Sequence, residues 1–238
     1  GIFQELDKQE ICWILRKLRN TGVAVQHRLE IALAVLLTMC AFTGAYSQTI
    51  YSFETAEDFF APAASWTAWQ DALDRHQTER EAMRQCLDDE TACARRLKGL
   101  RTILLKGADL TLEQQIRLVN RYINRQRYKE DRVSSRSGAG NQWETLAGFL
   151  HSGGDCEDFA VAKYFVLREF GVDADDMRIV IGREPQRATH HAMLAIRFDE
   201  DVWLLENDNT IHRNGSQDIT RFVYAINERG IWDHEKKD

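Results

Sequence analysis

One cysteine in this sequence is placed where its thiol could act as a nucleophile. Cys156 lies in the stretch GGDCEDFAVAKYFVLREFG, between a pair of glycines and a long apolar segment. That segment predicts a buried helix beginning at Cys156, and the positive end of a helix dipole favours a thiolate. The neighbouring carboxylates of Asp155, Glu157 and Asp158 favour the neutral thiol instead. Cys156 is therefore either a small buried hydrophobic residue or a nucleophile whose acidic surroundings are offset by a positive charge.

Two of the three carboxylates also have a purely structural interpretation. Asp155 is a typical N-cap residue, and Asp158 occupies the third position of the predicted helix. The two side chains could therefore close a capping box at the start of the helix. Helix capping does not explain the third carboxylate, that of Glu157.

A histidine and an aspartate follow in two segments that look like adjacent strands. His191 opens the segment HAMLAIRF, and Asp208 follows the segment VWLLEN, with FDED between the two. If FDED is the turn of a hairpin, His191 and the residues just past Asn207 lie at the same end of the sheet. Other candidates are His190 for the imidazole, and Asn207, Asp199 and Asp201 for its partner.

Together these residues could form a nucleophile, a base and an orienting acid. Cys156 would attack a carbonyl, His191 would accept the thiol proton, and Asp208 would hold the imidazole in one tautomer. His191 is preferred over His190 because apolar alternation places residue 191 on the opposite face of the strand from Ala192. A transition-metal site is a weaker alternative, since the cysteine and the histidines are too far apart for a compact zinc motif.

The elements that would position these residues change character near Gly171. Between about residues 63 and 127, apolar residues recur at helical spacing, and Thr111 followed by Gln114 is a capping-box signature. After Gly171 come short β-rich segments separated by polar turns, namely MRIVIGRE, HAMLAIRF, VWLLEN and RFVYAI. Helices followed by strands predict an α+β domain, with a helical lobe at about 55–171 packed on an antiparallel sheet at about 172–232.

The first 47 residues are expected to lie outside this domain. An apolar run at 31–42, preceded by basic residues, is too short to span a bilayer, which takes about 20 residues. It predicts a secretory signal cleaved near Ser47–Gln48, with an uncleaved anchor as the alternative. Because no methionine precedes the run, residues 1–22 are expected to be a spurious extension. The mature domain would then span residues 48–238.

The composition fits a globular protein and argues against two other classes. A net charge of −6 offers no basic surface for nucleic acid, and 44% apolar residues argue against disorder. In an exported protein, Cys86 and Cys93 could form a disulfide across CLDDETAC, with two free thiols as the alternative. Cys156 would then be the free cysteine of the mature chain.

The segment GGDCEDFAVAKY, together with HHAMLAI and WLLEND, resembles the bacterial transglutaminase-like cysteine proteinases. The resemblance rests mainly on GGDCEDFAVAKY and extends over about residues 51–231. It implies a papain-like or transglutaminase-like fold whose central helix starts at the nucleophile. It also implies a catalytic triad of Cys156, His191 and Asp208.

The same resemblance implies a cofactor and partners. The family is calcium-dependent, which implies Ca²⁺ bound by the acids around the nucleophile, with Glu157 the first candidate, then Asp155 and Asp158. A hard dication would offset the acidic field around the thiol. The implied partners are a large cell-surface adhesin, cut near its N-terminus to release cells from a biofilm, and an inhibitory inner-membrane receptor for cyclic di-GMP. The implied location is the periplasm.

Two other functions are compatible with these residues. The same triad could transfer the acyl group to an amine, as in a transglutaminase or amidase, because the triad does not determine which acceptor resolves the acyl-enzyme. The second is a non-catalytic periplasmic binding module. Whether the enzyme is a peptidase or an acyl transferase, the Cys156 backbone N–H could stabilise the oxyanion, with Trp143 or Gln142 as a second donor.

Overall fold

Helices dominate the chain before Gly171 and strands dominate it afterwards, as the change of apolar spacing predicts. The computed structural model describes residues 49–53, 59–130, 143–183, 190–214, 216–217 and 221–234. Its α-helices are α1 (Thr67–Asp88), α2 (Lys98–Gly107), α3 (Leu112–Ile123), α4 (Leu146–Ser152) and α5 (Cys156–Glu169).

The central helix is α5, whose first residue is Cys156. Every residue from Asp158 to Leu167 is buried, because apolar side chains cover all sides of the helix. Asp155 occupies the N-cap, and the carboxylate of Asp158 accepts a hydrogen bond from its backbone N–H. At the other end Gly171 has a φ of +86°, which only glycine adopts without strain. The predicted buried helix is confirmed.

The helices α1 and α3 supply much of the surface on which α5 packs. Trp69 of α1 stacks on Phe165 of α5, with 5.8 Å between the ring centroids. On α3, Val119 is fully buried in the same core. The predicted capping box is present at the start of α3, where Thr111 and Gln114 exchange side-chain and backbone hydrogen bonds. This cap fixes the first turn of a helix that later contacts the site.

The nine strands of the described residues form two antiparallel sheets, one of seven strands and one of two. They are β1 (Thr49–Ile50), β2 (Phe59–Pro62), β3 (Met177–Arg183), β4 (His190–Phe198), β5 (Asp201–Leu205), β6 (Ile211–His212), β7 (Ser216–Gln217), β8 (Arg221–Ile226) and β9 (Gly230–Asp233). The sheet order is β2-β9-β8-β3-β4-β5-β6, and β1 pairs separately with β7. The predicted hairpin is confirmed, since Phe198 pairs with Asp201 across the FDED turn. Asp199 and Asp201 therefore lie at the opposite end of this hairpin from His191.

The two faces of the sheet belong to two different cores. On β4, Ala192 and Leu194 pack in the core that contains the helices, whereas Met193 and Ala195 pack on the outer face. This is the predicted alternation. The outer face is covered by aromatic residues from both ends of the described chain, namely Tyr51, Phe53, Phe222 and Trp232.

The α+β fold is confirmed, with one difference in the helical lobe. Phe59–Pro62, which falls within the predicted helical lobe but before the helical pattern at about 63–127, forms edge strand β2 and pairs with β9. This pairing joins residues far apart in sequence, so local apolar spacing does not reveal it. Pro62 is compatible with an edge strand, because proline lacks a backbone N–H and one side of an edge strand has no partner strand to bond.

The predicted disulfide is the one expectation linked to export that the described residues include. Cys86 of α1 is bonded to Cys93, which confirms that pairing. Gln48–Asp238 forms one compact unit. The predicted extension and secretory signal at 1–47 lie outside the described residues and stay predictions. In the described ranges, no helix combines the length and apolar character needed to cross a membrane.

Candidate active site

The backbone that leads into Cys156 is fixed by the two preceding glycines. Gly153 has a φ of +74°, and a β-carbon on it would overlap the carbonyl oxygen of Arg127. The Gly154 N–H donates to the Arg127 carbonyl at 3.3 Å, and the Gly154 carbonyl accepts from the Lys129 N–H at 2.9 Å. The segment 127–129 therefore lies directly against the entry to α5, which requires glycine at position 153, whereas a β-carbon on Gly154 would overlap the Asp158 side chain.

The thiol of Cys156 is partly buried and surrounded by negative charge. Its Sγ donates a hydrogen bond to Glu157 Oε2 at 3.2 Å, and it also contacts the backbone N–H of Ala192 in β4. Burial, followed by the charge of Glu157, raises the pKa of the Cys156 thiol from 9.0 to about 12, although the Ala192 N–H acts in the opposite direction. Burial and the adjacent carboxylates therefore favour the neutral thiol in this arrangement.

His191 and Glu206 form a short hydrogen-bonded pair on the hairpin that contacts the thiol. His191 is the neighbour of Ala192, whose N–H lies against the Cys156 sulfur. The imidazole Nε2 is 2.6 Å from Glu206 Oε2. A carboxylate at this distance fixes the ring and stabilises an imidazolium when the other ring nitrogen takes a proton. The alternative imidazole, that of His190, is exposed.

Asp208, which was predicted to orient the histidine, closes a turn in the structure. Its Oδ1 accepts a hydrogen bond from the Thr210 backbone N–H at 2.8 Å. The prediction took the second strand of the hairpin to extend through Asn207, which would place Asp208 just past its end. Strand β5 instead ends before Glu206, and the chain reverses through Asn209, whose φ is +76°. The carboxylate in contact with His191 is therefore that of Glu206, two residues before the predicted one.

The three carboxylates expected to bind calcium do not form a three-ligand site. Among the described residues, no three His, Cys, Asp or Glu side chains are arranged to hold a metal ion. Asp158 is 3% exposed, and its oxygens accept from the Glu144 N–H at 2.8 Å and the Asp155 N–H at 3.3 Å. Asp158 thus ties the helix start to the preceding segment. Asp155 and Glu157 remain the candidate ligands, with oxygen donors that suit a hard cation.

The oxyanion donors predicted from the sequence differ in their exposure. The Cys156 backbone N–H lies in the first turn of α5, where backbone N–H groups have no partner within the helix. Trp143 is 2% exposed and packs on Trp66 and Trp69, at centroid distances of 5.2 and 5.6 Å. Its indole N–H is therefore out of reach of a substrate carbonyl. Gln142 lies outside the described residues.

Two tyrosines that the sequence analysis did not single out border the thiol. Tyr128 is 51% exposed, and its ring stacks on Phe159 in the first turn of α5. Burial, and then the charge of Cys156 and the nearby carboxylates, raises the pKa of Tyr128 to about 12. Burial and the same charges raise the pKa of Tyr224 in β8 to about 12. Both phenols therefore stay protonated near neutral pH and can donate hydrogen bonds at the rim of the site.

The fold and the site together define a class of enzyme. A cysteine in the first turn of a central helix, with an imidazole–carboxylate pair on the sheet packed against it, is the arrangement of thiol-dependent acyl-transfer enzymes. The family described as bacterial transglutaminase-like cysteine proteinase, BTLCP, matches residues 78–228, which is more than half of the chain. The chain belongs to this family and is a cysteine peptidase.

Solved structures with a similar fold include LapG from Legionella pneumophila. One LapG structure is 23% identical with a TM-score of 0.53, over 66% of this chain and 88% of that chain. A calcium-bound LapG structure is 22% identical with a TM-score of 0.53, over 66% and 89% of the two chains. An EGTA-treated one is 24% identical with the same TM-score, over 66% and 85%. At these identities the likeness shows a shared fold. Comparison with curated protein sequences gave no significant match.

Proposed function

We propose that this cysteine peptidase uses Cys156 as nucleophile, His191 as base and Glu206 as the acid that orients the base. The observation that carries the proposal is the 2.6 Å contact between His191 and Glu206, on the strand whose Ala192 N–H contacts the Cys156 sulfur. Glu206 replaces Asp208 in the predicted triad, because the Asp208 carboxylate closes its own turn.

In the proposed reaction, His191 accepts the Cys156 proton on Nδ1, the ring nitrogen that Glu206 does not contact. The sulfur electron pair attacks the scissile carbonyl, and the Cys156 backbone N–H stabilises the resulting oxyanion. Collapse of the tetrahedral intermediate breaks the C–N bond, and the leaving amine takes its proton from His191. Water, deprotonated by His191, then hydrolyses the thioester and restores the thiol.

Calcium is the proposed cofactor, with Glu157 and Asp155 as its ligands from this chain. Their carboxylates flank Cys156 and supply the oxygen donors that Ca²⁺ prefers. A bound cation would neutralise Glu157, which accepts the thiol hydrogen bond, and would thereby favour the thiolate. Solved LapG structures described as calcium-bound and EGTA-treated support this proposal.

The calcium proposal is tested by thermal unfolding, which does not depend on a substrate. Added Ca²⁺ should raise the melting temperature of the chelator-treated protein, and Mg²⁺ at the same concentration should raise it less. Glu157→Gln should abolish the calcium effect. Glu169→Gln, which removes a charge from the far end of the same helix, should retain it. An equal response in the wild-type protein and in Glu157→Gln would contradict Glu157 as a ligand.

The proposed substrate is a large cell-surface adhesin, cut near its N-terminus in the periplasm so that cells leave the biofilm. The proposed regulator is an inner-membrane receptor that responds to cyclic di-GMP and sequesters the peptidase. These proposals follow from resemblance to the family. The Cys86–Cys93 disulfide supports an oxidising compartment such as the periplasm.

The substrate proposal is tested by replacing the nucleophile in cells. In Cys156→Ala the adhesin should stay on the surface, whereas the wild-type protein and Glu169→Gln should release it. With purified components, the wild-type protein should produce new adhesin fragments. Incorporation of an added primary amine without cleavage would instead favour the acyl-transfer alternative. Unchanged release in Cys156→Ala would remove the support for this nucleophile.

A further inference from the structure

A buried lysine lies behind the His191–Glu206 pair. Lys163 is on α5, two turns after the nucleophile, and is 1% exposed. Its Nζ donates to the backbone carbonyl of Glu206 at 2.6 Å and lies 3.4 Å from the carbonyl of Leu205. The ammonium group thus holds the backbone at the point where β5 ends and the acid that contacts the histidine begins.

Asn120 of α3 and Asn124, which caps the C-terminus of α3, bind the same turn. Asn124 Nδ2 donates to the Glu206 carbonyl at 2.8 Å, and Asn120 Nδ2 donates to the Asn209 carbonyl at 3.1 Å. The Glu206 carbonyl therefore accepts two side-chain hydrogen bonds, one from each of two helices. Both helices belong to the helical lobe, so this lobe fixes a turn of the sheet.

Burying a lysine in the core is energetically unfavourable. Removing an ammonium group from water is unfavourable, and an unbranched apolar side chain would avoid that cost. Burial lowers the pKa of Lys163 to about 7, although Glu206 and Asp208 act in the opposite direction. In either protonation state Nζ donates to the strand end, and the protonated form also places a positive charge close to Glu206.

We propose that Lys163 is a positioning residue, which fixes the backbone at Leu205 and Glu206 and so holds the Glu206 carboxylate against His191. This inference rests on the proposed triad. A buried carboxylate that must stay ionised next to an imidazole benefits from a nearby cation. Asn124 assists by holding the same carbonyl from α3.

The first test is Lys163→Met, which keeps an unbranched side chain one atom shorter and removes its donors and charge. We expect kcat to fall about tenfold to a hundredfold, because small displacements of catalytic groups have effects of this size. KM should change less than about twofold. The matched control is Tyr164→Phe on the same helix, which removes the hydrogen bond from Tyr164 to Glu228 and should leave kcat unchanged. A loss of stability in Lys163→Met with normal kcat would show a merely structural role and overturn the proposal.

The second test is a double-mutant cycle with Glu206→Gln, read out both as kcat and as the rate at which iodoacetamide alkylates Cys156. If Lys163 acts through Glu206, Lys163→Met should cause little further loss in the Glu206→Gln background. Independent, additive losses would overturn the proposal. If Lys163→Met does not fold, Asn124→Ala should show the same non-additivity with a smaller loss. Normal kcat in Glu206→Gln itself would reject the triad, which is a different outcome from failure of the Lys163 proposal alone.

Discussion

Replacing Glu206 and Asp208 one at a time distinguishes the observed site from the one predicted by sequence. Glu206→Gln keeps the length of the side chain and removes its charge, so an imidazolium at His191 loses its partner 2.6 Å away. Asp208→Asn also removes a charge, but it keeps the Oδ1 that accepts from the Thr210 N–H. The two substitutions are therefore matched in charge and differ in their contact with the base.

The expected size of the effect follows from the Coulomb energy of the pair. Two unit charges about 4 Å apart interact by about 4 kcal/mol at an effective dielectric constant near 20, and by about 1 kcal/mol in water. The side chains of His191 and Glu206 are only 21% and 8% exposed, so the larger value applies more closely. A loss of about 3–4 kcal/mol corresponds to a fall in kcat of about 100- to 1000-fold. For Asp208→Asn we expect a change of less than about threefold.

The assay measures kcat and KM with the best peptide from a quenched-fluorescent library, and alkylation of Cys156 by iodoacetamide in parallel. Alkylation reports the thiol and its base without a substrate. Circular dichroism and urea unfolding check that both variants are folded. A large loss in Asp208→Asn with normal kcat in Glu206→Gln would refute the assignment of Glu206.

Three further predictions concern the thiol, acid stability and the glycine pair. In chelator-treated protein at pH 8, Glu157→Gln should speed alkylation of Cys156 about tenfold, because it removes a charge that raises the thiol pKa; an unchanged rate would contradict this cause. Burial lowers the pKa of His76 from 6.5 to about 4, so the unfolded chain binds more protons below pH 6.5. Stability in urea unfolding should therefore fall by about 2–3 kcal/mol between pH 7.5 and 4.5, and His76→Phe should show a smaller fall. Gly153→Ala should lower stability by about 2 kcal/mol or more in the same measurement, since its β-carbon would overlap the Arg127 carbonyl; a stable variant would show that the segment moves freely.

Features set by local sequence were predictable, and α5 shows why. Its start is marked by Asp155, its end by Gly171 and its burial by apolar residues on all sides, and each signal acts within a few residues. The β4–β5 hairpin was equally readable from its polar turn. The disulfide needed only two nearby cysteines and an assumption about the compartment.

Features set by distant contacts were not predictable from the same signals. Glu206 falls inside the predicted strand VWLLEN, and the sequence does not show that β5 ends before it or that Lys163 and Asn124 donate to its carbonyl. Lys163 itself reads as one polar interruption of an apolar helix. Tyr128 stands in no motif, and it reaches the site through a backbone bridge to Gly154 and a ring contact with Phe159.

The aromatic residues that cover the outer face of the sheet limit how far the N-terminus can be shortened for recombinant expression. Tyr51 and Phe53 shield Val180 and Met193 from water, and β2 completes one edge of the sheet. All of these N-terminal parts precede residue 78, where the match to the family begins. A fragment trimmed to the conserved stretch would thus present a bare apolar surface beside an open strand, a combination that promotes self-association. Recombinant versions should therefore start before Tyr51.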